Sequence, residues 1–179
     1  MTAPRVIIIT GVSGSGKTTI GTLLAESLGW EYAEADEFHS KANIDKMREG
    51  RPLTDADRLP WLKSIRAWVD DRLATGRPGV VTSSALKRSY RELLGGGRAE
   101  VAMVMLDADR ELITERLKRR FGHYFKGDLL ASQFADLELP APDEGVVHAP
   151  IDRTPEETVA HILDALGLAS GDPSTRTRP

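Results

Sequence analysis

Residues 5–20, RVIIITGVSGSGKTTI, constrain the fold more than any other part of the chain. An apolar run ends there at a glycine-rich turn, and a helical pattern begins directly after it. The turn matches G-x-x-x-x-G-K-[ST] at Gly11, Gly16, Lys17 and Thr18. This order predicts a loop whose backbone N–H groups surround phosphate, with the positive end of a helix dipole aimed at the same point. A turn that is merely rich in Gly and Ser would not explain Lys17 and Thr18 at this register.

The side chains and N–H groups of this turn are suited to hold a nucleoside triphosphate. Lys17 can reach the β- and γ-phosphates, and the Thr18 hydroxyl can bind Mg²⁺. The predicted nucleotide-binding residues are Gly11, Val12, Ser13, Gly14, Ser15, Gly16, Lys17, Thr18 and Thr19. The motif therefore predicts a bound nucleotide, but it does not identify a reaction.

The bulk properties of the 179 residues predict one domain, residues 1–167, followed by a flexible tail at 168–179 that has no apolar anchors. The absence of cysteine excludes disulfides and thiolate chemistry, and it fits a cytoplasmic protein. The net charge of −3 argues against a nucleic-acid partner bound by bulk electrostatics. Because a strand is predicted from residue 6 and no apolar run approaches the roughly 20 residues that span a bilayer, neither a signal peptide nor a membrane partner is expected.

Apolar strands alternate with helical patterns along the chain. Strands are predicted near 6–9, 30–35, 79–83, 101–106 and 145–151. This alternation predicts an α/β fold in three layers, with a five-stranded parallel sheet and helices on both faces. Because ligands in such folds bind at the carboxyl ends of the strands, we expect the loops at 11–18, 36–39 and 84–91 to converge on one crevice.

Two carboxylates, Glu34 and Asp36, follow the second predicted strand. If the strand continued to Asp36, both side chains would point to the same side, one toward a metal and one toward an acceptor hydroxyl. A pair of surface acids at a strand end is the alternative. His39, close to Asp36, is a candidate hydrogen-bonding partner for a polyol or a carboxylate.

Basic side chains follow in three groups, and each group also has a solvent-exposed or locally paired alternative. Arg58 could bind an anion or pair with Asp55 or Asp57. The group Lys87, Arg88 and Arg91 begins a helix at the expected crevice. Six basic residues (Arg110, Arg116, Lys118, Arg119, Arg120 and Lys126) stand against two acidic ones (Glu111 and Glu115) in 110–126. This cluster, with glycines at 122 and 127, predicts a mobile lid at about 119–138 that closes over phosphates.

Four stretches together resemble bacterial-type gluconate kinases (gluconokinases). They are GVSGSGKTT, EADEFHSKANIDKMREGRPLTDADRLPWL, SSALKRSYRELL and RFGHYFKGDLLASQFADLE, in the family's order across about residues 7–166. The first stretch is generic to P-loop proteins, whereas the other three are much more specific. The resemblance implies a P-loop kinase fold of the nucleoside-monophosphate-kinase-like group and ATP-dependent phosphorylation of D-gluconate to 6-phosphogluconate. It also implies Mg²⁺ dependence, a cytoplasmic location and a possible homodimer.

The resemblance also assigns expected roles to residues of this chain. It implies catalytic roles for Lys17, Asp36 and Arg120. It implies substrate binding by Asp36, His39, Arg58, Lys87, Arg91 and His123, with Arg88 beside them. By analogy with the wider fold group, Arg116 and Arg153 are expected to flank the adenine, and Thr18 to bind Mg²⁺ with Glu34 or Asp36 through water.

Two departures from the family's pattern stand out. The family commonly has D-G-D where this chain has Glu34-Ala35-Asp36, and Pro where Ser40 stands. Glu34 keeps a carboxylate but is longer by one methylene than the family's usual aspartate, so it would reach further toward a metal.

Two alternatives to a gluconate kinase remain at this stage. A shikimate kinase-like enzyme would share the fold and the paired carboxylates, although the later stretches favour gluconate. A regulatory module would use the P-loop for nucleotide binding alone, although Lys17, Thr18, Asp36 and the basic lid all favour catalysis.

Overall fold

The structure is a computed structural model that describes residues 2–107, 109–125 and 127–168. Its strands are β1 Val6–Thr10, β2 Glu31–Glu34, β3 Gly79–Ser83, β4 Val101–Leu106 and β5 Val147–Ala149. Its α-helices are α1 Lys17–Leu28, α2 Lys41–Arg48, α3 Asp55–Thr75, α4 Arg88–Leu94, α5 Arg110–Phe121, α6 Gly127–Asp136 and α7 Pro155–Leu166. Short 3₁₀ helices are present at Ala35–Phe38, Gly122–Tyr124 and Pro142–Glu144.

Some sequence-based expectations fall on residues beyond these ranges. Lys126 of the basic cluster lies outside the described residues, as does the expected tail at 168–179 apart from Leu168. Within the described ranges, every helix is too short or too polar to cross a membrane.

The five strands form one parallel sheet in the order β2-β3-β1-β4-β5. The central strand, β1, pairs with β3 in a register that sets Thr10 beside Ser83, so these two strands end side by side. The phosphate loop, which leaves β1, therefore starts next to the loop that leaves β3. The predicted α/β fold with a five-stranded parallel sheet is confirmed.

The side chains of β1 alternate between two hydrophobic cores, one on each face of the sheet. Ile7 packs in the core that contains Leu24 of α1, and Ile8 packs in the core that contains Trp61 of α3. All five residues of β1 are buried. Burial of one such aliphatic side chain stabilises the fold by roughly 1.5–3 kcal/mol. Since β1 is packed on both faces, it holds the start of the following loop in place.

The end of β2 differs from the sequence-based expectation, and the start of α3 is set by a capping box. The strand β2 ends at Glu34 and a 3₁₀ helix takes over at residue 35, so the strand does not continue through Asp36. Helix α3 begins five residues before Pro60, because the Thr54 hydroxyl accepts from the Asp57 N–H (3.1 Å) while the Asp57 carboxylate accepts from the Thr54 N–H (2.8 Å). The departure at Ser40 has a local reason as well, since its hydroxyl caps α2.

A buried ion pair fixes the chain segment that follows α6. The Arg91 guanidinium donates to both carboxylate oxygens of Glu144, at 2.8 and 3.0 Å, and to the carbonyl oxygens of Leu86 (2.8 Å) and Glu138 (2.9 Å). The two charged side chains are 2% and 7% exposed. Arg91 holds the pKa of Glu144 below its usual value. The pair thus joins the middle of α4 to the segment that follows α6.

We expect Glu144→Gln to lower the free energy of unfolding by about 3 kcal/mol, because it leaves the buried guanidinium without a countercharge. Urea denaturation measures this change. The matched control is Asp143→Asn, which breaks the neighbouring but solvent-exposed pair with Arg88 and should have a much smaller effect. Equal effects of the two substitutions would contradict the prediction.

Candidate active site

The phosphate loop connects β1 to α1 and depends on glycine at two positions. Gly16, the residue before α1, has a φ of +99°, and Gly14 has a φ of +80°. A Cβ on Gly14 would come within 2.8 Å of Leu117 Cγ and 3.2 Å of Ile113 Cγ2 on α5. Side chains at these positions would therefore strain the backbone or displace α5. The first N–H groups of α1 have no intrahelical partners and are directed toward the loop's concave side.

Lys17 lies folded under this loop. Its ammonium group donates to the carbonyl oxygens of Gly11 (2.9 Å) and Val12 (3.0 Å). Burial lowers the pKa of Lys17 to about 8, although the negative charges of Asp36 and Glu34 oppose the shift. The loop thus contains a partly desolvated cation that a phosphate group would stabilise.

A chain of hydrogen bonds joins α1 to the end of β2. The Thr18 hydroxyl donates to Glu34 Oε1 (2.7 Å), and the Tyr32 hydroxyl donates to Glu34 Oε2 (3.0 Å). Burial raises the pKa of Tyr32, so its hydroxyl stays protonated. The longer side chain of Glu34, compared with the family's usual aspartate, therefore reaches Thr18 directly.

A cavity of about 510 Å³ lies over the loop, within the usual size range of ligand sites. The residues around it include Ser13, Gly16, Lys17, Thr18, Thr19, Glu34, Asp36, Arg116, Arg120, Phe121, Tyr124 and Leu130. Asp36 is exposed on the 3₁₀ helix after β2 and is close enough to Lys17 and His39 to favour their charged forms. The turn of this short helix, rather than a continued strand, brings the carboxylate to the cavity.

The oxygen ligands beside the phosphate loop are of the kind that binds Mg²⁺ in nucleotide complexes. Among the described residues, no cluster of three or more Asp, Glu or His side chains could form a complete metal cage. Thr18, Glu34 and Asp36 instead supply a hydroxyl and two carboxylates beside the phosphate loop. Mg²⁺ commonly binds one or two protein oxygens and completes its coordination with phosphates and water.

His39 is held rigidly beside Asp36. Its ring stacks on Trp61, with ring centroids 4.3 Å apart and an angle of 9° between the planes. The Asn43 amide donates to the Asp57 carbonyl oxygen (2.9 Å), and its nitrogen lies 3.3 Å from His39 Nδ1. An amide NH₂ can only donate, so Nδ1 accepts and Nε2 carries the proton. Burial lowers the pKa of His39 below its usual value, which leaves a neutral ring with one N–H donor.

Arg58 and Lys87 belong to one polar cluster that joins α3, α4 and α6. Arg58 donates to Asp136 Oδ2 (3.1 Å) and to the Tyr90 hydroxyl (3.3 Å). Lys87 donates to Asp55 Oδ1 (2.9 Å), and the Tyr90 hydroxyl donates to the same oxygen. Both cations are thus paired with carboxylates on neighbouring helices, and an anionic ligand would compete with these pairs.

Arg116 and Arg153 border a second cavity, of about 300 Å³, whose lining does not include Asp36. Gly14, Gly16 and Thr19 line it as well. The Arg116 guanidinium donates to the Ile151 carbonyl oxygen, which fixes α5 against the segment after β5. The two arginines therefore share one pocket at the start of α1, and their place beside an adenine stays a prediction.

The predicted lid residues lie at and beyond the last turn of α5. Arg120 borders the larger cavity, and its guanidinium lies 5.2 Å from the centre of the Phe121 ring. His123 is exposed, and its ring centroid lies 4.3 Å from that of Tyr124, which borders the cavity.

Arg91 differs from the other residues expected to bind substrate. Its buried pair with Glu144 keeps it away from the crevice, so the structure does not bring it to the predicted site. The reason is the register of α4. Lys87 precedes the helix and faces α3, whereas Arg91 is one turn later on the buried side.

Sequence reasoning missed Gln133, Asp136 and Tyr90, and it offered Asp55 as a partner of Arg58 rather than of Lys87. Gln133 contacts the phosphate loop, whereas Asp136, Tyr90 and Asp55 surround Arg58 and Lys87. Gln133 and Asp136 stand in a stretch that carried the family resemblance, SQFADLE, and this was the available signal for them.

Comparisons with known proteins agree with this arrangement. A family model described as an AAA domain matches residues 6–138. A gluconokinase of Gluconobacter oxydans is 43% identical over 160 residues, which cover 89% of this chain and 90% of the relative. The crystal structure of a gluconokinase from Sinorhizobium meliloti is 40% identical with a TM-score of 0.81, covering 93% of this chain and 94% of that one.

A more distant structure is similar in fold alone. Shikimate kinase from Aquifex aeolicus is 18% identical with a TM-score of 0.56, covering 90% of this chain and 96% of that one. The sheet, the phosphate loop and the close relatives agree on one assignment. The chain belongs to the gluconokinase family of P-loop proteins.

Proposed function

We propose that this protein is a gluconokinase that transfers the γ-phosphoryl group of ATP to the 6-hydroxyl of D-gluconate. The observation that carries the proposal is the convergence of a phosphate loop, a carboxylate and basic side chains on one cavity, in a chain of the gluconokinase family. The cavity borders Lys17 and Thr18 on one side and Asp36 on the other.

ATP is proposed to bind with its phosphates on the loop and its adenine in the pocket of Arg116 and Arg153. Lys17 is well suited to the phosphates because its ammonium group is already close to the loop backbone. The N–H groups at the start of α1 add partial positive charge at the same point. Arg120, beyond the last anchored turn of α5, is a candidate to neutralise the transferring phosphoryl group.

Gluconate is proposed to bind between Asp36, His39 and the Arg58–Lys87 cluster. Its carboxylate suits the guanidinium of Arg58, since planar two-point pairing is available to that anion. Its hydroxyls can accept from the His39 Nε2–H. Arg58 and Lys87 now pair with Asp136 and Asp55, respectively. On binding, they would exchange these carboxylates for the ligand.

The proposed chemical step is an in-line displacement. The oxygen of the 6-hydroxyl attacks the γ-phosphorus, and its proton passes to Asp36. The bond from that phosphorus to the β,γ-bridging oxygen breaks, and ADP leaves with the electron pair. Lys17 and Arg120 stabilise the charge that shifts onto the bridging and equatorial oxygens.

Mg²⁺ is proposed as the cofactor, held by Thr18 with Glu34 or Asp36 in its outer coordination. When bound, it would neutralise phosphate charge and orient the β- and γ-oxygens. The homodimer and the cytoplasmic location implied by the family resemblance stay predictions.

The function is tested by coupled ADP release from ATP with gluconate, shikimate, other sugar acids and nucleosides as acceptors. We expect turnover with gluconate and much slower turnover with the other compounds, because the chain belongs to the gluconokinase family. Preference for shikimate would support the alternative enzyme. Nucleotide binding without turnover of any acceptor would refute a kinase and favour a regulatory module.

We expect Asp36→Asn to reduce kcat by about 10²-fold or more, because the amide cannot accept the hydroxyl proton. The affinity for ATP should change far less. Steady-state kinetics and calorimetric ATP binding measure the two effects. Glu37→Gln is the matched control, since it removes the adjacent exposed carboxylate of the same 3₁₀ helix. Full activity of Asp36→Asn would exclude the proposed role.

The low pKa of Lys17 predicts a pH dependence of nucleotide binding. With a pKa of about 8, the unliganded protein loses the ammonium charge as pH rises through 8, whereas bound phosphate favours the charged form. ADP affinity should therefore weaken above pH 8, by at most about tenfold per pH unit, and binding there should take up a proton.

Calorimetry between pH 7 and 9, in buffers of different ionisation enthalpy, measures this proton uptake. Lys17→Arg is the reference variant, because a guanidinium stays charged throughout this range. Its affinity should not weaken in the same window. A wild-type affinity that is constant from pH 7 to 9 would contradict the prediction.

A further inference from the structure

A glutamine on α6 bridges to the phosphate loop. Gln133 Oε1 accepts from the backbone N–H of Ser13, and Gln133 Nε2 donates to Ser13 Oγ at 2.7 Å. The two residues are separated by 120 positions in the sequence, and both are half-buried. One side chain thus satisfies both polar groups that Ser13 directs toward α6.

The chemistry of this contact is specific to a carboxamide. It supplies an acceptor and a donor from one planar group, which a carboxylate or an aliphatic side chain cannot do. The Ser13 N–H is also one of the loop's backbone donors. Because it is already paired within the protein, its orientation, and that of the peptide groups after it, depends on where α6 lies.

The same helix also contacts the proposed substrate site. Asp136, three residues after Gln133, accepts from Arg58 at 3.1 Å. Residues three apart on a helix lie on the same face. Leu130, three residues before Gln133, is 4% exposed, so this face of α6 is packed onto the rest of the protein. One face of α6 therefore contacts the nucleotide loop and the substrate-binding arginine.

We propose that Gln133 is a positioning residue that aligns the phosphate loop and couples nucleotide binding to acceptor binding through α6. The coupling rests on the proposed function, because it assigns the acceptor anion to Arg58. An anion at Arg58 competes with Asp136 and shifts the contacts of α6. Gln133 transmits that shift to Ser13, at the rim of the phosphate site. Nucleotide and acceptor consequently strengthen each other's binding.

The first test needs no acceptor. A non-hydrolysable ATP analogue is titrated calorimetrically into wild-type protein, Gln133→Ala and Gln133→Glu. We expect the analogue to bind about three- to tenfold more weakly to Gln133→Ala, because the loop is no longer held in its binding conformation. Gln133→Glu keeps the size of the side chain but cannot donate to Ser13 Oγ, and it adds a negative charge near the phosphates. It should bind at least as weakly as Gln133→Ala.

Two further variants separate positioning from packing. Ser132→Ala, on the preceding residue of α6, is the control and should bind the analogue like wild type. Ser13→Ala removes the hydroxyl acceptor, so its effect should not add to that of Gln133→Ala in the double variant. Wild-type affinity in Gln133→Glu would show that only packing matters and would overturn the proposal. Unchanged or tighter binding in Gln133→Ala would also overturn it.

The second test measures coupling. Analogue affinity is determined with and without saturating gluconate, and kcat and KM are measured with ATP. In wild type, gluconate should tighten analogue binding about fivefold or more, whereas in Gln133→Ala the factor should approach one. The variant's kcat should fall by about tenfold. Because binding coupling is reciprocal, KM for gluconate at saturating ATP should rise by about the same fivefold factor that is lost. A coupling factor retained in Gln133→Ala would overturn the coupling role.

The outcomes distinguish this proposal from the proposed function. If wild type does not turn over or bind gluconate, the proposed function and the coupling both fail. The alignment of the loop by Gln133 is still decided by the analogue titrations. If gluconate is turned over and the Gln133 variants match wild type, the function stands and the positioning role fails.

Discussion

The arrangement of this protein depends on one partly desolvated positive charge at the end of its central strand. Lys17 is folded under the loop, where carbonyl oxygens hold it and burial lowers its pKa to about 8. A cation in that environment is favoured by nearby negative charge. Glu34 and Asp36 supply part of this charge, and a nucleotide phosphate would supply the rest. The fold around the loop brings the two carboxylates close to the Lys17 ammonium group.

The order of the sheet makes this possible. Because β1 is central, its loop can be approached from β2 and β3 on one side and from β4 and β5 on the other. The carboxylates arrive from the β2 side, and the pocket of Arg116 and Arg153 forms on the opposite side. The proposed adenine pocket and the proposed acceptor carboxylates therefore reach the phosphate loop from different edges of the sheet.

Sequence reasoning was strongest where the determining residues are contiguous. The phosphate loop and the sheet follow from local patterns, and both could be predicted. The position of Arg91 could not, since its partner Glu144 lies 53 residues away and determines which side of α4 is buried. Gln133 was missed for a similar reason, because its partner is Ser13. The turn that brings Asp36 to the cavity depends on where β2 stops pairing with β3, which a thin apolar pattern does not reveal.

The close packing of Gly14 against α5 has a mechanical consequence. Because the loop fits against Leu117, and Arg116 is tied to Ile151, the first two turns of α5 must move together with the phosphate loop. The last turn, from residue 118 onward, is exposed. Any hinge in this helix therefore lies after Leu117. The lid motion predicted from the sequence would therefore move Arg120 but not Arg116.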